Sequence, residues 1–185
     1  MASVAIVFGT GEGQTAAVAD RIAARLVERG HTATALDAEE NAIDLDAVDA
    51  VVVGSSIHVG QHNAAVVRFL ETEADRLAAR PTAFFQVSLS SATADPERQA
   101  EAAGYVDRLL EETGFEPDRI ALFGGALRYS KYGFLKRAML KRIAAEATGD
   151  TDTSRDYEYT DWEAVEAFAD DVAEFVEGRP GERPT

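Results

Sequence analysis

The sequence predicts a doubly wound α/β protein with a five-stranded parallel sheet in the order 2-1-3-4-5, and three observations predict it. An apolar run, Val4-Ala5-Ile6-Val7-Phe8, feeds into a glycine-rich turn and then a helix-forming stretch. Four further β-type runs follow, separated by helical patterns or long connections, so the strands are joined by crossovers. Strands one, three and four are apolar throughout rather than alternating, as expected of parallel strands covered on both faces.

The strands are expected at residues 4–8, 32–36, 50–53, 83–87 and 120–123. Helical periodicity places helices at 15–28, 64–77, 96–112 and 162–176, with Gly30, Pro81 and Gly114 as stop signals. Right-handed crossovers make the sheet doubly wound, and its order puts a ligand at the carboxyl ends of strands one and three. The 185 residues, 46% of them hydrophobic, suit one compact domain over 1–177 with a loose tail over 178–185.

The turn after strand one, Gly9-Thr10-Gly11-Glu12-Gly13-Gln14-Thr15, has the chemistry of a phosphate site. Glycines permit positive φ and close approach of backbone N–H groups, and the following helix directs its positive dipole end at the same place. Thr10 and Thr15 add hydroxyls. The loop lacks the lysine of a Walker motif and the G-x-G-x-x-G spacing of a dinucleotide fold. Without a cation, and with Glu12 inside it, it suits a monophosphate held by neutral donors.

The full spacing, Ile6, Val7, Phe8, Thr10, Gly13, Thr15 and Ala19, resembles the flavodoxin signature. That resemblance implies FMN as cofactor, its phosphate held by Thr10, Gly11, Glu12, Gly13, Gln14 and Thr15. In flavodoxin-like proteins the loops after strands three and four cover the flavin ring. Here these would be the stretches from Gly54 to His62 and from Ser88 to Ala92, both rich in small residues. The resemblance thus implies ring contacts from Ser55, Ser56 and Ile57, and from Ser88, Leu89, Ser90 and Ser91.

Charge and cysteine content narrow the remaining classes. Thirty-three acidic residues against 18 Lys and Arg give a net charge of −15, which would repel nucleic acid. Excess carboxylate with scarce lysine resembles the surfaces of proteins from a salt-rich cytoplasm, and flavodoxin-like proteins are often acidic in any case. The chain has no cysteine, which excludes disulfides, thiolate metal sites and cysteine nucleophiles and permits a reducing compartment. There is no N-terminal h-region and no apolar run of about 18 residues, so a visible export signal and a membrane span are not expected. His58 and His62 stand four apart, a metal-ligand spacing on a helix, but no neighbouring acid or third histidine completes a site. No metal is expected, and His58 reads as a substrate or flavin contact.

A second informative region runs from Arg128 to Arg142. It holds all three lysines of the chain, six cations in all, and no acid. Tyr132, Leu135, Met139 and Ile143 recur at helical spacing, while Phe134 and Leu140 lie off that stripe. A basic helix over 128–144 with spare apolar groups suits an anionic membrane surface; a helix docked on the acidic body by its cations is the other reading.

Gly125-Ala126-Leu127-Arg128-Tyr129, then Gly149-Asp150-Thr151-Asp152-Thr153, then Tyr159-Thr160-Asp161-Trp162, resemble the C-terminal pattern of the flavodoxin-type, menaquinone-dependent protoporphyrinogen IX oxidases. This resemblance spans nearly the whole chain, and a simple flavodoxin lacks the extra basic helix before the last one. It implies an FMN enzyme of haem biosynthesis that oxidises protoporphyrinogen IX to protoporphyrin IX. Electrons would pass to a membrane quinone, menaquinone, from a cytoplasmic protein peripheral on the inner membrane face. Porphyrinogen propionates and an anionic bilayer both call for local cations, and Arg128, Lys131, Lys136 and Arg137 are the candidates, with His58 and Tyr129 as further substrate or membrane contacts. No catalytic side chain or proton acceptor is singled out. The rivals are a flavodoxin-like electron carrier, an NAD(P)H-dependent quinone reductase and a regulatory domain without flavin.

Overall fold

Residues 1–92, 95–124, 126–127, 157–158 and 160–178 are described by a computed structural model. The elements are β1 (Ser3–Gly9), α1 (Gln14–Glu28), β2 (Thr32–Asp37), β3 (Ala50–His58), β4 (Gln61–His62), α2 (Ala64–Ala78), β5 (Thr82–Ser88), α3 (Pro96–Thr113), β6 (Arg119–Gly124), β7 (Ala126–Leu127), β8 (Tyr157–Glu158) and α4 (Trp162–Glu177). The parallel strands lie in the order β2-β1-β3-β5-β6, the doubly wound order expected from the sequence. Two small additions were not expected: β4 pairs antiparallel with the end of β3, and β7 pairs with β8 in a separate ribbon. The expected basic helix over 128–144, with Arg128, Tyr129, Lys131, Lys136 and Arg137, lies outside the described residues.

Both faces of the sheet are covered, which is why the central strands read as unbroken apolar runs. Val4, Ile6 and Phe8 of β1 point to one side, where Val18, Ile22 and Leu26 of α1 meet Val165, Phe168 and Val172 of α4. Ala5 and Val7 point to the other, where Val66 and Leu70 of α2 and Val106 and Leu109 of α3 close the second core. Phe85, Phe123 and Phe168 join sheet to helix as a triangle with ring centroids 5.8 to 6.4 Å apart. Edge-on and tilted aromatic contacts at such spacings are favourable.

Strand three is longer than expected. The stretch from Gly54 to His58 is strand rather than loop because pairing continues along it: Ser55 is in register with Gly9 and with Gln86, Ser56 with Val87, and Ile57 and His58 pair antiparallel with β4. Its small residues are required by packing. A Cβ on Gly54 would overlap the Phe85 ring, so glycine here makes room for the aromatic triangle. His62 sits in β4, and α2 is capped by Asn63, whose Oδ1 accepts from Ala65 N at 3.0 Å. Ser88 likewise closes β5 rather than opening a loop, and Leu89–Ala92 form a short 3₁₀ turn.

A methyl at residue 54 therefore tests the sheet's packing. Gly54→Ala is expected to destabilise the protein by about 1–3 kcal/mol, the usual cost of overpacking, and Phe85→Leu in the same chain should recover part of it. Chemical denaturation of the two single variants and the double variant measures the coupling; strictly additive losses would contradict the contact.

Candidate functional site

The parallel register brings the carboxyl ends of β1, β3, β5 and β6 to one rim. At that rim the β1–α1 turn holds Thr10, Gly11, Glu12 and Gly13. Gly11 and Gly13 are exposed, and Thr10 and Glu12 are partly covered. Thr10 Oγ1 accepts from Gly13 N at 2.9 Å and closes the turn. Gly13 caps α1 with a φ of 95°, a conformation that favours glycine. The helix has no side-chain cap and no acid in its first turn. By contrast α2, α3 and α4 are capped by Asn63, Asp95 and Asp161. An uncapped first turn keeps its positive end for an anion.

Gln14 and Thr15 are buried behind the turn. Gln14 Nε2 donates to Thr160 Oγ1 at 2.8 Å, and Thr160 Oγ1 donates to Gly124 O at 2.8 Å. The start of α1 is thereby tied to the end of β6 and to the segment entering α4.

The serines divide into two groups. Ser55 is fully buried, its Oγ accepting from Asn63 N at 3.1 Å and donating to Ser56 O at 3.2 Å. Ser88 is also buried and pairs with Ser91 Oγ at 2.9 Å. Both hydroxyls are occupied in shaping their segments. Ser56, Ile57, Leu89, Ser90 and Ser91 are partly open at the rim, and His58 is exposed. His58 and His62 lie on opposite strands of the β3–β4 hairpin, so their spacing is not that of a helix face.

The roles of four supporting residues escaped the sequence reading. Asn63 occupies the space that a Cβ on Gly9 would need, so the end of β1 and the start of α2 interlock. Gln86, a fully buried amide within an apolar strand, donates from Nε2 to Ala102 O at 2.9 Å. Its Oε1 lies 2.8 Å from His62 Nε2 and accepts a hydrogen bond from the N–H of that ring nitrogen. The third is Tyr105, whose hydroxyl donates to Glu101 Oε1 at 2.8 Å beside the hairpin turn. Thr160 completes the set. The lone glutamine in Ala-Phe-Phe-Gln-Val and the Asn before an apolar periodic stretch were the available signals.

A doubly wound sheet with a glycine turn and an uncapped helix at the rim defines a flavodoxin-like α/β protein. The chain belongs to the flavodoxin-domain family, whose profile matches residues 5–154. It is 34% identical over 173 residues to a protoporphyrinogen IX dehydrogenase (quinone) of Escherichia coli (strain K12), across 93% of this chain and 95% of that one. A protein of the same name from Leishmania major is 31% identical over 170 residues, 91% of this chain and 73% of its own. Among solved structures, a short-chain flavodoxin associated with a non-canonical PDU bacterial microcompartment superposes with a TM-score of 0.60 at 12% identity, over 95% of this chain and 99% of that one.

Burial lowers the pKa of His62, with the Gln86 hydrogen bond opposing it only in part. A histidine depressed in the folded state binds fewer protons than in the unfolded chain. Stability should therefore be full above the ordinary imidazole value of about 6.5 and decline as pH falls through it. Thermal midpoints measured from pH 7.5 to 5.5 should fall less steeply for His62→Gln than for the wild type; equal slopes would contradict this role.

Proposed function

We propose that the chain binds FMN and oxidises protoporphyrinogen IX to protoporphyrin IX, with the electrons passed to a membrane quinone. The observation that carries this reading is the convergence of the uncapped α1 terminus with the open residues of β3 and of the β5 turn on one rim. The relatives' shared name supplies the reaction.

The residues present fit FMN. The Gly13 conformation, the open space at Gly11 and the absence of a first-turn acid make the β1–α1 turn a cradle for a phosphate. Thr10, Gly11, Glu12, Gly13, Gln14 and Thr15 would form it. Ser56 and Ile57 would contact the ring on one side and Leu89, Ser90 and Ser91 on the other, with Ser55 and Ser88 holding those segments from behind. When bound, FMN supplies acceptance of two electrons at a time, which suits a substrate oxidised in successive two-electron steps.

The chain's own contribution is placement. The His62–Gln86–Ala102 bonds anchor the hairpin to α3, and the Ser55–Asn63 bond anchors it to α2. Residues 128–142 offer the cations that propionates and an anionic bilayer require, and the quinone would be menaquinone at the cytoplasmic face. Among the described residues no helix is long and apolar enough to cross a membrane, so membrane contact would come through this segment.

The test is anaerobic. FMN-loaded protein in high salt, given protoporphyrinogen IX and a menaquinone analogue, should develop porphyrin fluorescence that requires the quinone, with kcat/KM reduced about tenfold by Arg128→Ala. Flavin that binds and cycles while porphyrinogen stays reduced would move the protein to the electron-carrier or quinone-reductase reading. Removing residues 131–144 should abolish sedimentation with anionic liposomes while FMN binding persists; unchanged sedimentation would exclude the segment as the membrane contact.

A further inference from the structure

The β3–β4 hairpin turns through two residues, Val59 and Gly60, between the paired His58 and Gln61. Both have positive φ, 49° and 72°, the signature of a type I′ turn. Such turns favour Asn-Gly, and a β-branched residue at positive φ is strained. Among the described residues Val59 is the one non-glycine with positive φ. It is also 75% exposed, so burial does not compensate the strain. Three contacts hold the turn in place: His62 is fixed by Gln86, the base of the hairpin by Ser55 and Asn63, and Gly60 stands beside Tyr105.

The position of the turn gives this strained, solvent-facing valine a use. Ser55 is level with Gly9 at the start of the phosphate turn. Val59 lies four residues further along the chain, so an extended strand would carry it about 13 Å past that level, beyond the open residues Ser56 and Ile57. Strain that the surrounding structure holds in place is a mark of functional positions. Val59 and, one residue before it, the imidazole of His58 are both exposed at the tip of the hairpin, which thus offers hydrocarbon and an N–H donor to a large ligand. That pairing matches a macrocycle with an apolar body and carboxylate side chains better than a neutral quinone.

We propose that Val59 is a specificity-determining contact for the apolar body of the porphyrinogen, retained at a cost in stability that the preferred turn residue would remove. The inference rests on the FMN and porphyrinogen reading above.

Val59→Asn tests it, because it restores the favoured turn while removing the hydrocarbon. The variant should raise the thermal midpoint by about 2–4 °C. It should also raise KM for protoporphyrinogen about fivefold, and weaken protoporphyrin IX binding by a similar factor in a fluorescence titration of the FMN-loaded protein. The KM for the quinone should not move. Val59→Leu, which keeps an apolar side chain, should retain porphyrin affinity. Wild-type porphyrin affinity in the Asn variant, or a rise in quinone KM instead, would overturn the assignment, as would an Asn variant no more stable than the wild type. Wild-type protein that binds FMN but no porphyrin would overturn both this inference and the reading beneath it, whereas intact wild-type binding with an indifferent Asn variant removes only the role of Val59.

Discussion

The close approach of Gly9 to Asn63 is the constraint on which the rim depends. With no Cβ on Gly9, the Asn63 side chain enters the space at the end of β1, caps α2 through Ala65 N and leaves its own backbone N–H to Ser55 Oγ. One small contact thus joins the strand that leads to the β1–α1 glycine turn, the strand that leads to the hairpin, and the helix that follows it. Ser55 then passes the constraint across the sheet, since it stands in register with both Gly9 and Gln86. Gln86 continues it to His62 and to the α3 backbone. The hydrogen bonds in this chain are largely covered from water, where breaking one costs more than making it contributes.

The charge distribution separates the body from the segment proposed to meet anions. Along α1 and α4 part of the acidic surplus is paired: Arg21 pairs with Glu166, Arg25 and Arg29 share Asp170, and Arg29 and His31 reach Glu177. The Arg25 hydrogen bond holds the Asp170 carboxyl below the usual carboxylate range. These pairs are largely solvent-exposed and each is worth little for stability, but together they occupy cations. Among the described residues every arginine except Arg68 has an ion pair, hydrogen bond or ring partner. A chain of net charge −15 whose described arginines are mostly engaged internally has reason to concentrate its lysines elsewhere, and all three fall within residues 128–142.

What was legible in the sequence follows the range of the forces involved. β1, β3 and β5 could be read because burial on both faces leaves continuous apolar runs, and the helices because their periodicity and stop residues are local. The extension of β3 was not legible: Gly54, Ser55 and Ser56 have weak strand propensity, and what makes them strand is pairing with β1 and β5 and the room that Phe85 needs. The hairpin was missed because Val-Gly lacks the usual turn signal and is held by Gln86 and Tyr105, distant in sequence. At the site, spacing singled out the glycine turn that is proposed to hold the phosphate. It did not separate the buried Ser55 and Ser88 from the partly open Ser56, Ser90 and Ser91, because that difference lies in burial.

The most direct measurement compares FMN with riboflavin, which differs only in lacking the phosphate, by quenching of flavin fluorescence on titration with apoprotein. If the uncapped α1 terminus and its glycine turn hold the phosphate, two or more charge-assisted hydrogen bonds separate the ligands. FMN should then bind at least about a hundredfold more tightly, the equivalent of ~2.7 kcal/mol. Equal affinities, or no binding of either flavin, would contradict the assignment of the rim as a flavin phosphate site.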